Sequence, residues 1–233
     1  MQSTKNPEKG IMYVVSTPIG NLKDVTIRAL EVLEDADYIA CEDTRRTLKL
    51  LNTYGIKKPL ISFHSKSRHR ARKKIIDFIH NGCTIAMVAD SGTPLVSDPG
   101  SRLVQTLIEQ GCRVVPVPGP SAVHSALVAA GLPFSGYVFA GFLSSKRSRR
   151  KKRIRELSEA NNILVFFESP HRIIQFLEDL LEVLGNRKGC VAREMTKKFE
   201  TYYRGSLAEI LEAVKSDGTR GEYTVVVDNR SGE

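Results

Sequence analysis

The chain has 233 residues, 41% of them hydrophobic, and a formal net charge of +9. That is enough apolar material for one large domain or two small ones, which excludes global disorder, and no apolar run approaches the roughly 20 residues of a membrane span. The four cysteines, at 41, 83, 112 and 190, are too widely spaced for a C-x-x-C motif; they point to reduced thiols, a cytoplasmic protein and no bound metal.

Residues 1–10 read as a polar, frayed leader with no secretion signal. A first strand at 12–15 runs into a turn-rich loop at 16–24, where Asp24 is placed to cap a helix carrying Val25, Leu30 and Leu33 on one face. A strand at 38–41 follows, then a helix at 44–54 closed by Gly55 and a strand at 60–63. Next come a basic helix near 68–81 closed by Gly82, a strand at 84–88, a helix at 102–110 closed by Gly111 and a strand at 113–117. Strands spaced by helices of this length predict right-handed crossovers and a mostly parallel sheet.

After Pro133 the pattern changes. Strands are expected at 137–142, 163–168, 189–193, 199–205 and 223–228, with helices at 144–159, 171–184 and 207–215. The near-continuous pair at 189–193 and 199–205 favours an antiparallel hairpin and a mixed sheet. The expected domains are therefore 11–118 and 119–233.

Parallel sheets bind ligands at the carboxyl ends of their strands, and those ends carry the most unusual local sequences. Thr17-Pro18-Ile19-Gly20-Asn21 combines a stiff proline with a glycine that permits close backbone approach. It lacks the spacing of a nucleotide-phosphate loop. Asp90-Ser91-Gly92-Thr93-Pro94 opens a long rigid loop that ends in Asp98-Pro99-Gly100; its many backbone donors and acceptors suit a ligand with a polar amino-acid end and an adenosine. In Pro118-Gly119-Pro120-Ser121-Ala122, Ser121 is placed to cap the next helix, an end that can also face a ligand carboxylate.

The charge excess sits in two patches. Lys146, Arg147, Arg149, Arg150, Lys151, Lys152 and Arg153 fall within eight positions, and Lys66, Arg68, Arg70, Arg72, Lys73 and Lys74 form a second group. Without these cations the chain is net negative. Such clustering suggests a polyanionic partner, the alternative being solvated helix faces. Mutual repulsion argues that the 146–153 run meets the phosphates of such a partner and contributes little to folding.

Taken with Glu42-Asp43-Thr44-Arg45, Gly141-Phe142, Phe167-Glu168-Ser169-Pro170-His171-Arg172, Arg193-Glu194-Met195-Thr196-Lys197 and Gly221-Glu222, these loops resemble the tetrapyrrole-methylase superfamily, the class III methyltransferases, in order over about residues 11 to 229. The match is closest to the branch that methylates a cytidine ribose 2′-hydroxyl in small-subunit ribosomal RNA. The resemblance implies an α/β fold with an N-terminal parallel-sheet domain, a C-terminal mixed-sheet domain and S-adenosylmethionine in the cleft between them. It also implies a homodimer acting on small-subunit RNA or the assembled subunit, with no membrane and no metal. Carried over by position, Pro18, Ile19, Gly20, Gly92, Thr93, Val96, Ser121 and Ala122 would meet the cofactor, with Phe167, Met195, Glu222, Tyr223 and Thr224 from the second domain. Many relatives carry a basic helical tail beyond the last strand. With Glu233 as the last residue, that grip on RNA is expected to pass to the 146–153 run.

A ribose hydroxyl is a poor nucleophile, so a base or a cation that stabilises the forming alkoxide would help. Glu42, Asp43, Arg45, His64, Glu168, Glu194 and Lys197 are available, with Glu42, Asp43 and Lys197 the leading candidates. Glu42 and Asp43 serve equally well as caps of the helix beginning near Thr44. Arg45 and Arg46 could hold RNA phosphate or pair with those carboxylates. Methylation of a corrinoid or other tetrapyrrole small molecule, and a non-catalytic role in RNA binding or ribosome assembly, are the alternatives. The dispersed cations argue against the first and the three tailored loops against the second.

Overall fold

The computed structural model describes residues 9–64 and 68–230. Residues 1–8 of the expected leader and Lys66 of the second basic group lie outside the described residues. The chain divides into two compact units, Met1–Ser121 and Ala122–Glu233.

Unit 1 is a doubly wound parallel sheet. Its strands are β1 (Ile11–Val15), β2 (Tyr38–Cys41), β3 (Leu60–Ser62), β4 (Ile85–Val88) and β5 (Arg113–Val117), in the order β3-β2-β4-β1-β5. Every pairing is parallel. The helices are α1 (Ile27–Asp35), α2 (Thr44–Thr53), α3 (Arg68–His80) and α4 (Ser101–Glu109). Alternation along β4 explains the two cores. Ile85 and Met87 pack with Ile75, Ile79, Leu103 and Leu107 of α3 and α4. Ala86 and Val88 pack with Leu33, Leu50 and Leu51 of α1 and α2. A strand buried on both faces must be apolar at every position, as β4 is.

One expected cap is displaced. Asp24 ends a single turn of 3-10 helix, and α1 is capped by Thr26, whose hydroxyl accepts from Ala29 N at 3.1 Å. A hydroxyl two residues beyond Asp24 thus serves the orphan amide at the helix start.

Unit 2 begins with α5 (Ala122–Ala130). Its strands are β6 (Tyr137–Phe142), β7 (Ile163–Glu168), β8 (Lys188–Arg193), β9 (Thr201–Ser206) and β10 (Tyr223–Asp228), in the order β6-β7-β10-β8-β9. β6 and β7 are parallel, while β10 runs antiparallel to β7 and β8, and β8 to β9 as the short connection predicts. Helices α6 (Arg147–Ser158), α7 (Ile173–Leu184) and α8 (Leu207–Asp217) cover one face, built on Phe166, Phe176, Leu180, Val191 and Val225. The other face meets α5.

The basic run departs from the expectation. Helix α6 starts three residues later than its sequence pattern, because the preceding carbonyls have other partners. Arg150 donates to Ser144 O at 3.4 Å and Ser145 O at 3.5 Å, and Arg172 donates to Leu143 O at 3.3 Å. Arg150 has no exposed surface. Its guanidinium donates to Asp179 Oδ2 at 2.7 Å and to Gln175 Oε1 at 3.0 Å, while Arg147 takes Asp179 Oδ1 at 2.7 Å and Lys151 bonds Glu182. These three cations therefore join α6 to α7, and a fully buried Arg150 does not meet an RNA phosphate. Lys146, Arg149, Lys152 and Arg153 are exposed, Arg153 pairing with Glu156 at 2.9 Å.

A buried pair costs several kcal/mol when one partner is removed, because the other charge is left desolvated. Asp179→Ala is therefore expected to lower unfolding stability by about 3 to 5 kcal/mol, whereas Arg149→Ala on the exposed face changes it by about 0.5 kcal/mol or less. Urea unfolding of the two variants checks this, and equal midpoints would remove the pair from the account.

Candidate active site

In unit 1 the expected loops converge on the carboxyl edge of the sheet. Thr17 N donates to Gly92 O at 2.9 Å and Gly92 N donates back to Thr17 O at 3.0 Å. The Thr17 hydroxyl donates to Ala89 O at 3.2 Å. Ser16 Oγ donates to Thr93 Oγ1 at 3.1 Å, and Thr93 Oγ1 donates to Pro120 O at 3.2 Å. Thr93 thus connects the loops after β1, β4 and β5.

Gly92 has φ +76°, and a Cβ there would lie 3.2 Å from Ile19 Cγ2. Only glycine combines this conformation with so close a neighbour at little cost. Pro18 and Ile19 are buried; Gly20 and Val96 are exposed, and Ser121 and Ala122 are half-buried. Leu95 and Ser97 flank Val96 with φ of 72° and 70°. Two left-handed non-glycine residues around one exposed side chain store strain of the kind found at ligand clamps. Thr17, Pro18, Leu22, Arg46 and Asp90 line an open cleft at this edge.

The carboxylates near β2 separate into different roles. Asp43 is the N-cap of α2: its carboxylate accepts from Arg45 N at 2.9 Å and pairs with the Arg45 guanidinium at 2.9 Å. The hydrogen bond from the Arg45 side chain leads in pulling its pKa down to about 2. A carboxylate held so firmly ionised is a poor proton acceptor near neutrality, so Asp43 does not fit the base role. Arg45 takes the second of its two expected roles by pairing with that carboxylate. Arg46 sits 3.9 Å from Asp90, and Asp90 Oδ1 accepts from Asp43 N at 2.9 Å.

Asp98 was missed as a candidate. It lines a second cleft with Cys41, Glu42, Phe63 and Pro94. Burial, then the nearby charges of Glu42 and Asp90, push its pKa up to about 6. In the sequence, Asp98-Pro99-Gly100 reads as the end of the rigid ligand loop, with no proton-transfer role for Asp98. What makes Asp98 unusual is its burial in the fold, and after that its nearness to Glu42, which is remote in the chain.

In unit 2 the expected residues gather at one end of the sheet. Phe142, Phe167, Thr224 and Ala192 lie opposite one another across β6, β7, β10 and β8. The Phe167 ring contacts Phe139 at 4.9 Å and Phe142 at 5.6 Å between centroids. Met195 is buried just beyond β8, between Glu194 and Thr196, whose φ values are 51° and 64°. Glu194 is pressed against Gly221, where a Cβ would lie 2.4 Å from Glu194 Cγ. No side chain fits at residue 221 unless the Glu194 side chain gives way.

Lys197 spans two carboxylates, Glu194 at 2.8 Å and Glu222 at 2.9 Å. Burial opposes its charge, but the hydrogen bonds to Glu194 and Glu222 outweigh that and raise its pKa. It therefore stays a cation and ties the Met195 loop to the start of β10. Glu168 is buried, its Oε1 accepting from Ser169 N at 2.7 Å and Arg172 Nε at 2.8 Å. Both bonds hold the turn into α7. Among the described residues, no group of three or more His, Cys, Asp or Glu could hold a metal ion, and no helix is long and apolar enough to cross a membrane.

Comparison with known proteins accords with this arrangement. Residues 12–211 match the profile of the Tetrapyrrole (Corrin/Porphyrin) Methylases. The protein named ribosomal RNA small subunit methyltransferase I in Thermotoga maritima is 43% identical over 221 residues, covering 95% of this chain and 99% of the relative. Its namesake in Mesorhizobium japonicum is 45% identical over 223 residues, covering 95% of this chain and 76% of the relative. Among solved structures, a cobalt precorrin-4 methyltransferase shares the fold with a TM-score of 0.71 at 15% identity, covering 93% of this chain and 94% of that one. A Thermus thermophilus uroporphyrin-III C-methyltransferase in complex with S-adenosylhomocysteine has a TM-score of 0.65 at 17% identity, covering 94% and 98%. With the family profile spanning most of the sequence and relatives above 40% identity over nearly all of it, the chain belongs to the tetrapyrrole methylase family, on its ribosomal RNA small subunit methyltransferase I branch.

Proposed function

We propose that this protein transfers a methyl group from S-adenosylmethionine to the 2′-hydroxyl of a cytidine ribose in small-subunit (16S) ribosomal RNA. The observation that carries the reading is the Thr17–Gly92–Thr93–Pro120 junction: three loops, bonded to one another, present backbone and hydroxyl groups around a glycine. It supports the reading together with the names of relatives that align along nearly the whole chain. The solved structures named for tetrapyrrole substrates are too remote in sequence to favour a small-molecule substrate, and they speak for the fold alone.

When bound, S-adenosylmethionine supplies an already activated methyl group, so alignment and exclusion of water account for much of the rate. Pro18, Ile19, Gly20, Gly92, Thr93, Val96 and Ser121 hold the cofactor from unit 1. Ala122, Phe167, Met195, Glu222 and Thr224 are the further cofactor candidates, each within unit 2. The donor set fits: the unit-1 loops offer hydroxyls and amides to a polar amino-acid end, and Phe167 and Met195 offer apolar surface to an adenosine. Asp98, with Glu42 beside it, accepts the proton shed by the ribose hydroxyl, since its pKa of about 6 is close to working pH. Arg46 and the exposed cations of α6 meet RNA phosphate.

The purified protein is expected to bind S-adenosylhomocysteine without added metal and to methylate small ribosomal subunits or their RNA, with the product located by mass spectrometry. Gly92→Val, confirmed as folded by circular dichroism, is expected to lose both activities, because its branched side chain enters a left-handed position against Ile19. Undiminished affinity in calorimetry would remove this loop from the site.

A raised carboxyl pKa means that ionisation works against the fold. Asp98 therefore costs stability as pH rises from its unfolded value of 3.8 through about 6. Discounted for its partial exposure, this comes to about 1 kcal/mol. Asp98→Asn is expected to melt higher than the parent at about pH 7, to show no such gain at about pH 4, and to lose most methyl transfer. A variant that keeps full activity would dismiss Asp98 as the proton acceptor.

We also place the protein in the cytoplasm as a homodimer. The exposed Phe134 and Tyr137 of unit 2, in ring contact at 6.5 Å, are apolar surface of the kind that a second copy covers. Light scattering is expected to give twice the chain mass, and a stable monomer at assay concentration would refute this.

A further inference from the structure

The row of residues at the end of the unit-2 sheet has an exposed member. Phe142 is 58% exposed, an unusual amount for an aromatic residue that closes a strand. The β6–β7 register shifts between Phe139 and Gly141, and Gly141 has φ +62°. After this irregularity Phe142 lies opposite Phe167, with the ring contact described above. One side of its ring is thus supported by Phe167 while much of its surface faces solvent.

Only residues 143–145 separate Phe142 from the basic run. That short link is held by two arginines from the helix layer, Arg172 on Leu143 O and Arg150 on Ser144 O and Ser145 O. Lys146 N also donates to Ser144 Oγ at 3.2 Å. The buried Arg150–Asp179 pair therefore fixes where α6 begins and which of its cations face outward. Arg147 and Lys151 are occupied by Asp179 and Glu182; Arg149 and Lys152 are exposed. An exposed aromatic ring at the foot of a cationic helix is the pairing that single-stranded nucleic acids use, a base stacking on the ring while phosphates meet the charges.

We propose that Phe142 is a base-stacking platform for single-stranded RNA, with Arg149 and Lys152 of α6 as its phosphate contacts. It guides the strand toward the row formed by Phe167 and Thr224. The inference rests on RNA being the substrate, and it names the form of RNA and the residues that grip it. A duplex hides its base faces, whereas an unpaired nucleotide can lie against the ring.

The test uses the full-length protein, a short unstructured RNA oligonucleotide, and the same strand annealed to its complement. The parent protein is expected to bind the single strand more tightly than the duplex. Phe142→Ala should weaken single-strand binding about tenfold, as expected for loss of one stacked base, and leave the salt dependence unchanged. Phe142→Trp should restore it. Arg149→Gln with Lys152→Gln should instead lower the log–log salt slope by about 1.4 units, roughly 0.7 per phosphate contact on a single strand. S-adenosylhomocysteine affinity should persist in every variant, because Phe139 still supports Phe167. Unchanged binding by Phe142→Ala, preference for the duplex, or loss of cofactor affinity in Phe142→Ala would each overturn the platform. Subunits methylated by the parent while Phe142→Ala binds normally would defeat the platform alone. Phe142-dependent binding without any methylation of subunits would defeat the enzymatic reading alone.

Discussion

The reciprocal backbone pair between Thr17 and Gly92 is the interaction on which the unit-1 site depends. It places the loop after β1 beside the loop after β4, and the Thr93 hydroxyl extends the junction to Pro120 after β5. Parallel strands all point their carboxyl ends the same way, so their loops are neighbours by construction. Neighbouring loops still diverge unless something fastens them. Here the fastening is made by backbone groups and two small hydroxyls, which leave room for a ligand.

Unit 2 solves a different problem, the control of charge. Lys197 joins Glu194 to Glu222, and Arg150 with Arg147 satisfies both oxygens of the buried Asp179. The Asp179 set holds opposite charges where burial would otherwise disfavour them, while the Lys197 set is part exposed and held by direct ion pairs. The Lys197 set stabilises a loop carrying two left-handed residues around Met195. The Arg150 set fixes the helix that carries the exposed cations. A charged run that reads in the sequence as uniformly suited to nucleic acid is thus divided, part of it structural and part of it available.

Asp43 and Asp98 show how position decides the chemistry of one residue type. Asp43, at a helix start beside Arg45, is held well below the usual carboxylate range. Asp98, half-buried near Glu42 and Asp90, is held above it. Their sequence neighbourhoods, one acidic and polar and the other proline-rich, do not reveal this contrast, because the burial of Asp98, and after it the charge of Glu42 more than fifty positions away, are set by the fold.

The periodicity of the chain was enough to place nearly every strand, the parallel character of unit 1 and the antiparallel β8–β9 pair, because hydrophobic alternation and helix-ending glycines are local signals. The loops Thr17–Asn21, Asp90–Pro94 and Pro118–Ala122 were legible for the same reason: glycine and proline mark special backbone wherever they occur. The start of α6 shifted where side chains took the carbonyls of Leu143–Ser145, Arg172 from the following helix layer and Arg150 from α6 itself. The burial of Arg150, the tuning of Asp98 and the exposure of Phe142 were decided by tertiary structure alone. Each depends on which groups from far along the chain arrive beside it, and charge, solvation and hydrogen bonding act through space, not along the sequence.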